Sequence, residues 1–292
     1  MAPASLSPTT WDGHELMWGA RTYVMGILNV TPDSFSRDGL MAPGASSAAT
    51  VAAAVARARA MLAEGADLLD VGGESTRPAT EQGVPLDAAT EMERVVPVIR
   101  ALAAELPPHA IISVDTYKAR VAEAALDAGA TLINDIGGLR FDERMAPLVA
   151  ERGVPVVLMS NLRGQPRRDA LGDVARQISG SIECALAAGI EWGRIIVDPG
   201  IGFGLTAEEN VAVLGRLGEL RALGRPLLVG TSRKSTIGKV LGGLPEDDRL
   251  EGTAATVALS IAQGADIVRV HDVKAMARVA RMADAIVRGW AP

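Results

Sequence analysis

Cysteine occurs once in 292 residues, at Cys184. No internal disulfide can form, so stability has to come from packing. Cys184 lies among Ile182, Ala185 and Leu186 and reads as a packing residue rather than a nucleophile. Aromatic residues make up only 3% of a chain that is 48% hydrophobic. Any large core must therefore be built from Ala, Val, Leu and Ile, which suits strands buried on both faces and Ala-rich helices. His14, His109 and His271 show no metal-ligand spacing. No apolar run reaches the ~18 residues of a membrane helix, and the N-terminus lacks the basic–apolar–small order of a signal peptide. The expectation is a cytoplasmic protein with no membrane partner. A net charge of −6 without a long basic run argues against nucleic acid as a partner.

What the chain does have is a repeat of short apolar runs ending in polar residues. The runs lie near Tyr23–Leu28, Asp67–Val71, Ala110–Val114, Thr131–Ile133, Val154–Leu158, Arg194–Val197, Pro226–Val229 and Asp266–Val268. They end at Asn29, Gly73-Glu74, Asp115, Asn134-Asp135, Ser160-Asn161, Asp198, Ser232-Arg233-Lys234 and Arg269-Val270-His271. Helix-like segments separate them. In one, Leu250, Ala254, Val257 and Ile261 share a face; in another, Val174, Ile178, Ile182 and Leu186 point inward. Gly65, Gly129, Gly153 and Gly264 sit where a helix must end in a left-handed residue before the next strand. The fold class is α/β, a (β/α)8 TIM barrel, in which strand C-termini open onto one shared face. The shortest connection, from Asp115 to Asn134, leaves room for about three helical turns. An open doubly wound sheet usually carries a glycine fingerprint after its first strand, and Asn29-Val-Thr-Pro-Asp-Ser-Phe has none. Residues 1–21 are assigned to an N-terminal tail and hairpin, and residues 22–292 to a single barrel domain. Residues 1–8 read as unstructured. Thr10–Met17 reads as a hairpin turning at Asp12-Gly13, with Trp11 and Trp18 covering the barrel bottom.

Several strand ends have a plain structural reading beside a functional one. Asp198-Pro199-Gly200 suits a simple turn, and Asp115 suits a helix N-cap. Ser232 suits a helix cap, with Arg233 and Lys234 facing water. The segment is neither a P-loop nor a hydrolase elbow. Arg269 and His271 alternate along one strand, so both point the same way and together suit an anion. Thr31–Gly39 and Gly73–Gly83 are polar and suit loops that close over a barrel mouth.

Seven segments occur in order at successive strand ends: Met25–Phe35 (MGILNVTPDSF), Asp70–Pro78 (DVGGESTRP), Ser113–Thr116 (SVDT), Asn134–Gly137 (NDIG), Asp198–Gly204 (DPGIGFG), Gly230–Gly238 (GTSRKSTIG) and Arg269–Asp272 (RVHD). Together they resemble the dihydropteroate synthases, the pterin-binding barrel enzymes of folate synthesis, over nearly the whole chain. The resemblance implies condensation of 6-hydroxymethyl-7,8-dihydropterin diphosphate with p-aminobenzoate, releasing pyrophosphate. It implies Asp115, Asn134 and Asp198 as acceptors for the ring edge, which pays no penalty only if every polar edge atom is paired. It assigns Lys234 to the ring carbonyl, Ser232 to the border of the second substrate, and Arg269 and His271 to the leaving pyrophosphate. Asn29 would be a neutral oxygen ligand for Mg²⁺ on the diphosphate. Thr31 would bind substrate, and Asp33, Phe35, Thr76, Arg77 and Pro78 would build the p-aminobenzoate pocket, where Phe203 would pack on an aromatic ring. A homodimer through the late helices is also implied.

Two segments depart from the family pattern. A Met-His-Met-Arg-Gly-like run reads Met159-Ser160-Asn161-Leu162-Arg163-Gly164, and Gly-Phe-Gly-Lys reads Gly202-Phe203-Gly204-Leu205. They keep open a pterin-binding paralogue without efficient synthesis. A pterin-binding methyltransferase acting on a methyl-folate is a separate alternative, which the NVTPDSF segment and Ser232-Arg233-Lys234 argue against.

Overall fold

Residues 6–31, 39–41, 46–74 and 85–290 are described by the structure, a computed structural model. Strands β1 (Thr9–Trp11) and β2 (His14–Leu16) pair as an antiparallel hairpin. Its turn puts Asp12 and Gly13 at φ 41° and 77°, the left-handed conformation that such a two-residue loop needs. Then follow β3 (Tyr23–Asn29), α1 (Ser47–Glu64), β4 (Leu68–Gly72), α2 (Ala88–Glu105), β5 (Ile111–Asp115), α3 (Ala119–Asp127), β6 (Leu132–Asp135), α4 (Met145–Arg152), β7 (Val156–Met159), α5 (Ala170–Ala187), β8 (Ile195–Asp198), α6 (Ala207–Gly215), β9 (Leu228–Val229), α7 (Ser235–Val240), α8 (Leu250–Ala262), β10 (Ile267–Val270) and α9 (Val273–Val287). Strands β3 to β10 form one parallel sheet in the order 8-7-6-5-4-3-10-9. A parallel bridge from Val197 to Leu227 joins its two ends and closes the barrel.

The period of two along each strand sorts the barrel interior into layers. The lowest is apolar: Met25, Leu68, Ile111, Leu132, Val157, Ile196, Leu228 and Ile267 pack as one cluster with Trp11, Leu16, Trp18 and Tyr23. The hairpin thus plugs the bottom. It is also stitched in place, since Trp11 Nε1 donates to the Thr131 carbonyl at 2.7 Å and Thr9 Oγ1 to the Gly193 carbonyl at 2.6 Å. Leu6 is half-buried against this cluster, which corrects the expectation of an unstructured segment there; residues 1–5 lie outside the described residues. Two residues further along each strand, the interior turns polar, with Asp70, Ser113, Asn134, Asp198 and Arg269.

The strand boundaries shift for identifiable reasons. The run expected from Val154 starts at Val156, and the one expected from Pro226 is a strand only over Leu228–Val229, preceded by the single bridge at Leu227. Pro155 and Pro226 have no N–H to give to a ladder. Leu186 was expected inward but is 45% exposed. Successive steps of four residues drift about 40° each around a helix, so the third step leaves the core face, and Ala185 fills the position. Leu250, in the first turn of α8, is exposed likewise, while Thr253 is buried. Cys184 is half-buried and packs against the main core. The four helix-ending glycines have φ of 107°, 111°, 60° and 95°, as expected.

Trp11→Ala removes a buried indole and a hydrogen bond from the bottom plug. It is expected to lower unfolding stability by about 3–5 kcal/mol, measured by urea denaturation. A loss below about 1 kcal/mol would mean that the hairpin only rests on the barrel.

Candidate active site

The polar layer is organised around Arg269 of β10. Its Nε donates to Asp70 Oδ2 at 2.6 Å and its Nη2 to Asp115 Oδ2 at 2.6 Å. Asp70 Oδ2 also accepts from Asn134 Nδ2 at 2.9 Å. Three neighbouring strands, β4, β5 and β6, are thereby tied to β10 across the lumen. Burial pushes the Asp115 carboxyl up to about 7, against the pull of Arg269 and with help from Asp70. Burial also works against charge on Arg269, but Asp70 and Asp115 outweigh it and hold the guanidinium above its ordinary value. Asp115 is thus no helix cap. The residue preceding α3 is Lys118, and it makes no side-chain cap bond.

Asp198 ends β8. Its Oδ1 accepts from Gly200 N at 2.7 Å, so the turn reading of Asp198-Pro199-Gly200 holds alongside the functional one. Burial raises its carboxyl, opposed by Lys234. Gly200 has φ 69°, and a Cβ there would overlap the Ser160 carbonyl oxygen, so the loop fits only with glycine. Lys234 Nζ donates to the Ile201 carbonyl and lies 4.9 Å from the centre of the Phe203 ring. Burial lowers its ammonium to about 8, opposed by Asp198. The Arg163 guanidinium stacks over the same ring at 4.4 Å. Lys234 therefore does not simply face water.

Ser232 does not cap α7. Its Oγ accepts from the His271 backbone N–H at 3.2 Å and meets His271 Nδ1 at 2.9 Å. Arg233 turns away to pair with Asp272 at 2.6 Å. Asn29 is half-buried at the rim and Thr31 is buried beside it. Asp33, Phe35, Thr76, Arg77 and Pro78 lie outside the described residues. Asp135, although expected at a strand tip, points out of the barrel lumen. It accepts from the Gly137 and Leu139 N–H groups at 2.7 Å each, which makes it a turn anchor.

Sequence reasoning passed over two residues. Asp70 was readable as a lone carboxylate inside the apolar run Leu68–Gly72, on the inward face with Leu68. Gln177, on α5, carried no signal. It accepts from Ser160 Oγ at 2.8 Å and Asn161 N at 2.7 Å, and donates to the Asn161 carbonyl at 2.9 Å. The segment that departs from the family pattern is therefore fully held in place.

A closed (β/α)8 barrel with inward acceptors on adjacent strands, a lysine and an aromatic ring defines an enzyme that grips a flat, hydrogen-bonding ring. The model of the family described as "Pterin binding enzyme" matches residues 25–271, and the chain belongs to that family. It is 47% identical to the dihydropteroate synthase of Bacillus subtilis over 93% of this chain and 91% of that one. Among solved structures, it is similar to a Clostridium difficile dihydropteroate synthase determined in the presence of pteroic acid (47% identity, TM-score 0.85, 93% and 98% of the two chains). It is also similar to a Xanthomonas albilineans dihydropteroate synthase with 4-aminobenzoic acid (40% identity, TM-score 0.86, 97% and 98%).

The Lys234 ammonium, the form present below about 8 and lost above it, is a much stronger donor toward a carbonyl than the neutral amine, and Lys234 is the expected partner of a ring carbonyl. Affinity for a pterin ring, read by calorimetry between pH 6.5 and 9.5, is expected to fall above about pH 8. Lys234→Arg, charged throughout, should abolish that fall. An unchanged alkaline limb in the variant would assign it to another group.

Proposed function

We propose that the protein acts as a dihydropteroate synthase, transferring the pterinylmethyl group of 6-hydroxymethyl-7,8-dihydropterin diphosphate to p-aminobenzoate. The observation that carries the reading is the convergence of Asp115, Asn134, Asp198 and Lys234 on the Arg269 layer inside one barrel mouth. The extensive similarity to named synthases supports it.

In this reading Asp115, Asn134 and Asp198 accept the N–H edge of the ring, and Lys234 donates to its carbonyl. Phe203, buried at 8%, offers an apolar face beside the second substrate. The reaction breaks the bond between the methylene carbon and the diphosphate oxygen, and the electron pair leaves with the oxygen. The arylamine nitrogen forms the new carbon–nitrogen bond and sheds a proton to solvent. An electron-rich ring shares the positive charge that develops, so departure can lead attack. The residues' task is electrostatic and positional. Asp115, poised near neutrality, favours a cationic ring, while Arg269 and His271 stabilise the departing anion.

Mg²⁺ fits as a diphosphate-bound ion rather than a caged one. Among the described residues no group of three or more His, Cys, Asp or Glu could hold a metal. The carboxamide of Asn29 at the rim is a neutral oxygen donor of the kind Mg²⁺ accepts beside phosphate and water. When bound, the ion would neutralise charge on the leaving group.

A homodimer is the proposed assembly. Met282, Ile286 and Trp290, spaced by four along and just beyond α9, are 63%, 73% and 77% exposed, and Leu259 on α8 is 64% exposed, apolar surface that a second copy would cover. No helix among the described residues is long and apolar enough to cross a membrane. The proposed location is the cytoplasm.

Mixing the protein with the pterin diphosphate, p-aminobenzoate and Mg²⁺ should release one pyrophosphate per dihydropteroate formed. Arg269→Ala is expected to cut turnover about 100-fold or more while weakening ring binding less. Tight pterin binding with no pyrophosphate release would reject the synthase reading. In sedimentation velocity at micromolar concentration the protein should run as a dimer and Ile286→Glu as a monomer. A monomeric wild type would sink the assembly proposed.

A further inference from the structure

Asp70 is the charged residue of the inner layer that none of these roles uses. It lies mid-strand in β4, wholly buried, between Leu69 and Val71. Asp115, raised to about 7, is only partly ionised near neutral pH and balances the charge of Arg269 only in part, so Asp70 supplies the rest at the cost of a second buried carboxyl group. What it adds besides charge is direction. A single oxygen, Oδ2, accepts both from Arg269 Nε at 2.6 Å and from Asn134 Nδ2 at 2.9 Å. The first bond, with the Nη2 bond to Asp115, uses one edge of the planar guanidinium and leaves Nη1 outside both carboxylate pairings. The second commits the amide nitrogen of Asn134, so the amide oxygen is the end left to act as an acceptor. The remaining oxygen of Asp70 and the hydroxyl of Ser113, its neighbour across the ladder, are both buried with no hydrogen-bond partner among the described residues. Among those residues the carboxylate is held by these two donors.

We propose that Asp70 is a positioning residue for the transfer reaction. It sets the rotation of the Arg269 guanidinium and the orientation of the Asn134 amide, and it touches neither substrate itself. Without it, Arg269 is free to turn both nitrogens of its edge onto Asp115, which withdraws the cation from the leaving group. The inference rests on the synthase reading for Arg269, and its test separates the two.

Asp70→Asn keeps the shape of the side chain and removes its charge. In the wild-type background it is expected to lower kcat about 10- to 100-fold while the KM for p-aminobenzoate moves less than about threefold. In an Arg269→Met background the same substitution should change kcat by less than about threefold, because the group it acts through is gone. An equal loss in both backgrounds, or none in the wild type, overturns the proposal. A general loosening of the barrel would raise the KM for both substrates and overturn it too. If Asp70→Asn alone does not fold, comparing Arg269→Met with the double variant decides. In the double variant neither charge of the Asp70–Arg269 pair remains, and it is expected to turn over like Arg269→Met, so a further loss of more than about fivefold rejects the idea. Calorimetry with pteroic acid gives a readout independent of turnover. If the wild type releases no pyrophosphate, the synthase reading fails. Asp70→Asn should still weaken ring binding about tenfold through Asn134, and unchanged binding would overturn the proposal.

Discussion

A guanidinium sunk between two carboxylates is the interaction that the upper barrel is built around. Arg269 reaches Asp70 and Asp115 from β10, over the intervening strand β3. Such a pair is strong only where water is kept away, and its members are costly to bury singly; removing one partner of a buried pair costs about 3–5 kcal/mol. The interior therefore needs a dry floor beneath it. The apolar layer from Met25 to Ile267 is that floor, and Trp11 and Trp18 seal it from below. Floor, plug and ion cluster form one argument: the apolar half of the barrel lets the polar half hold charges in fixed directions.

The second consequence is a graded set of protonation states around one cavity. Asp115 is raised to about 7 and Lys234 lowered to about 8, burial being the first cause of both shifts. A carboxyl and an ammonium with values this close to neutrality can each donate or accept toward a ring edge without large changes in pH. Both the Arg163 guanidinium and the Lys234 ammonium lie against the Phe203 ring, at 4.4 and 4.9 Å from its centre. The mouth thus keeps a cation at Arg163 where the family pattern's lysine is replaced by Leu205. The other departure, Ser160-Asn161, is held by Gln177 and leaves the acceptors on β5, β6 and β8 untouched.

Most of the architecture was readable because it depends on local rules. Short apolar runs, polar tips and glycines at helix ends are each set by nearby residues, and the parallel barrel follows from their repetition. What was not readable depends on distance in sequence. Asp70 and Arg269 are 199 residues apart, and nothing at either position announces the other. Ser232 looked like a helix cap because it precedes α7, yet its hydroxyl is taken by His271, 39 residues away. Leu186 failed for a geometric reason, the drift of a four-residue spacing around the helix. Asn134, Asp198 and Lys234 were visible as strand-end residues, with their roles implied by the family resemblance; the opposition of Asp198 and Lys234 was not readable.

A pterin ring is proposed to lie over the Arg269 layer with its edge on β5, β6 and β8. A crystal structure of the protein with pteroic acid is the most direct test. The ring is expected inside the barrel mouth, hydrogen-bonded by Asp115, Asn134 and Asp198, with Lys234 at the carbonyl and Arg269 still on Asp70. A ring bound outside the lumen, or bound with those carboxylates turned away from it, would refute this placement.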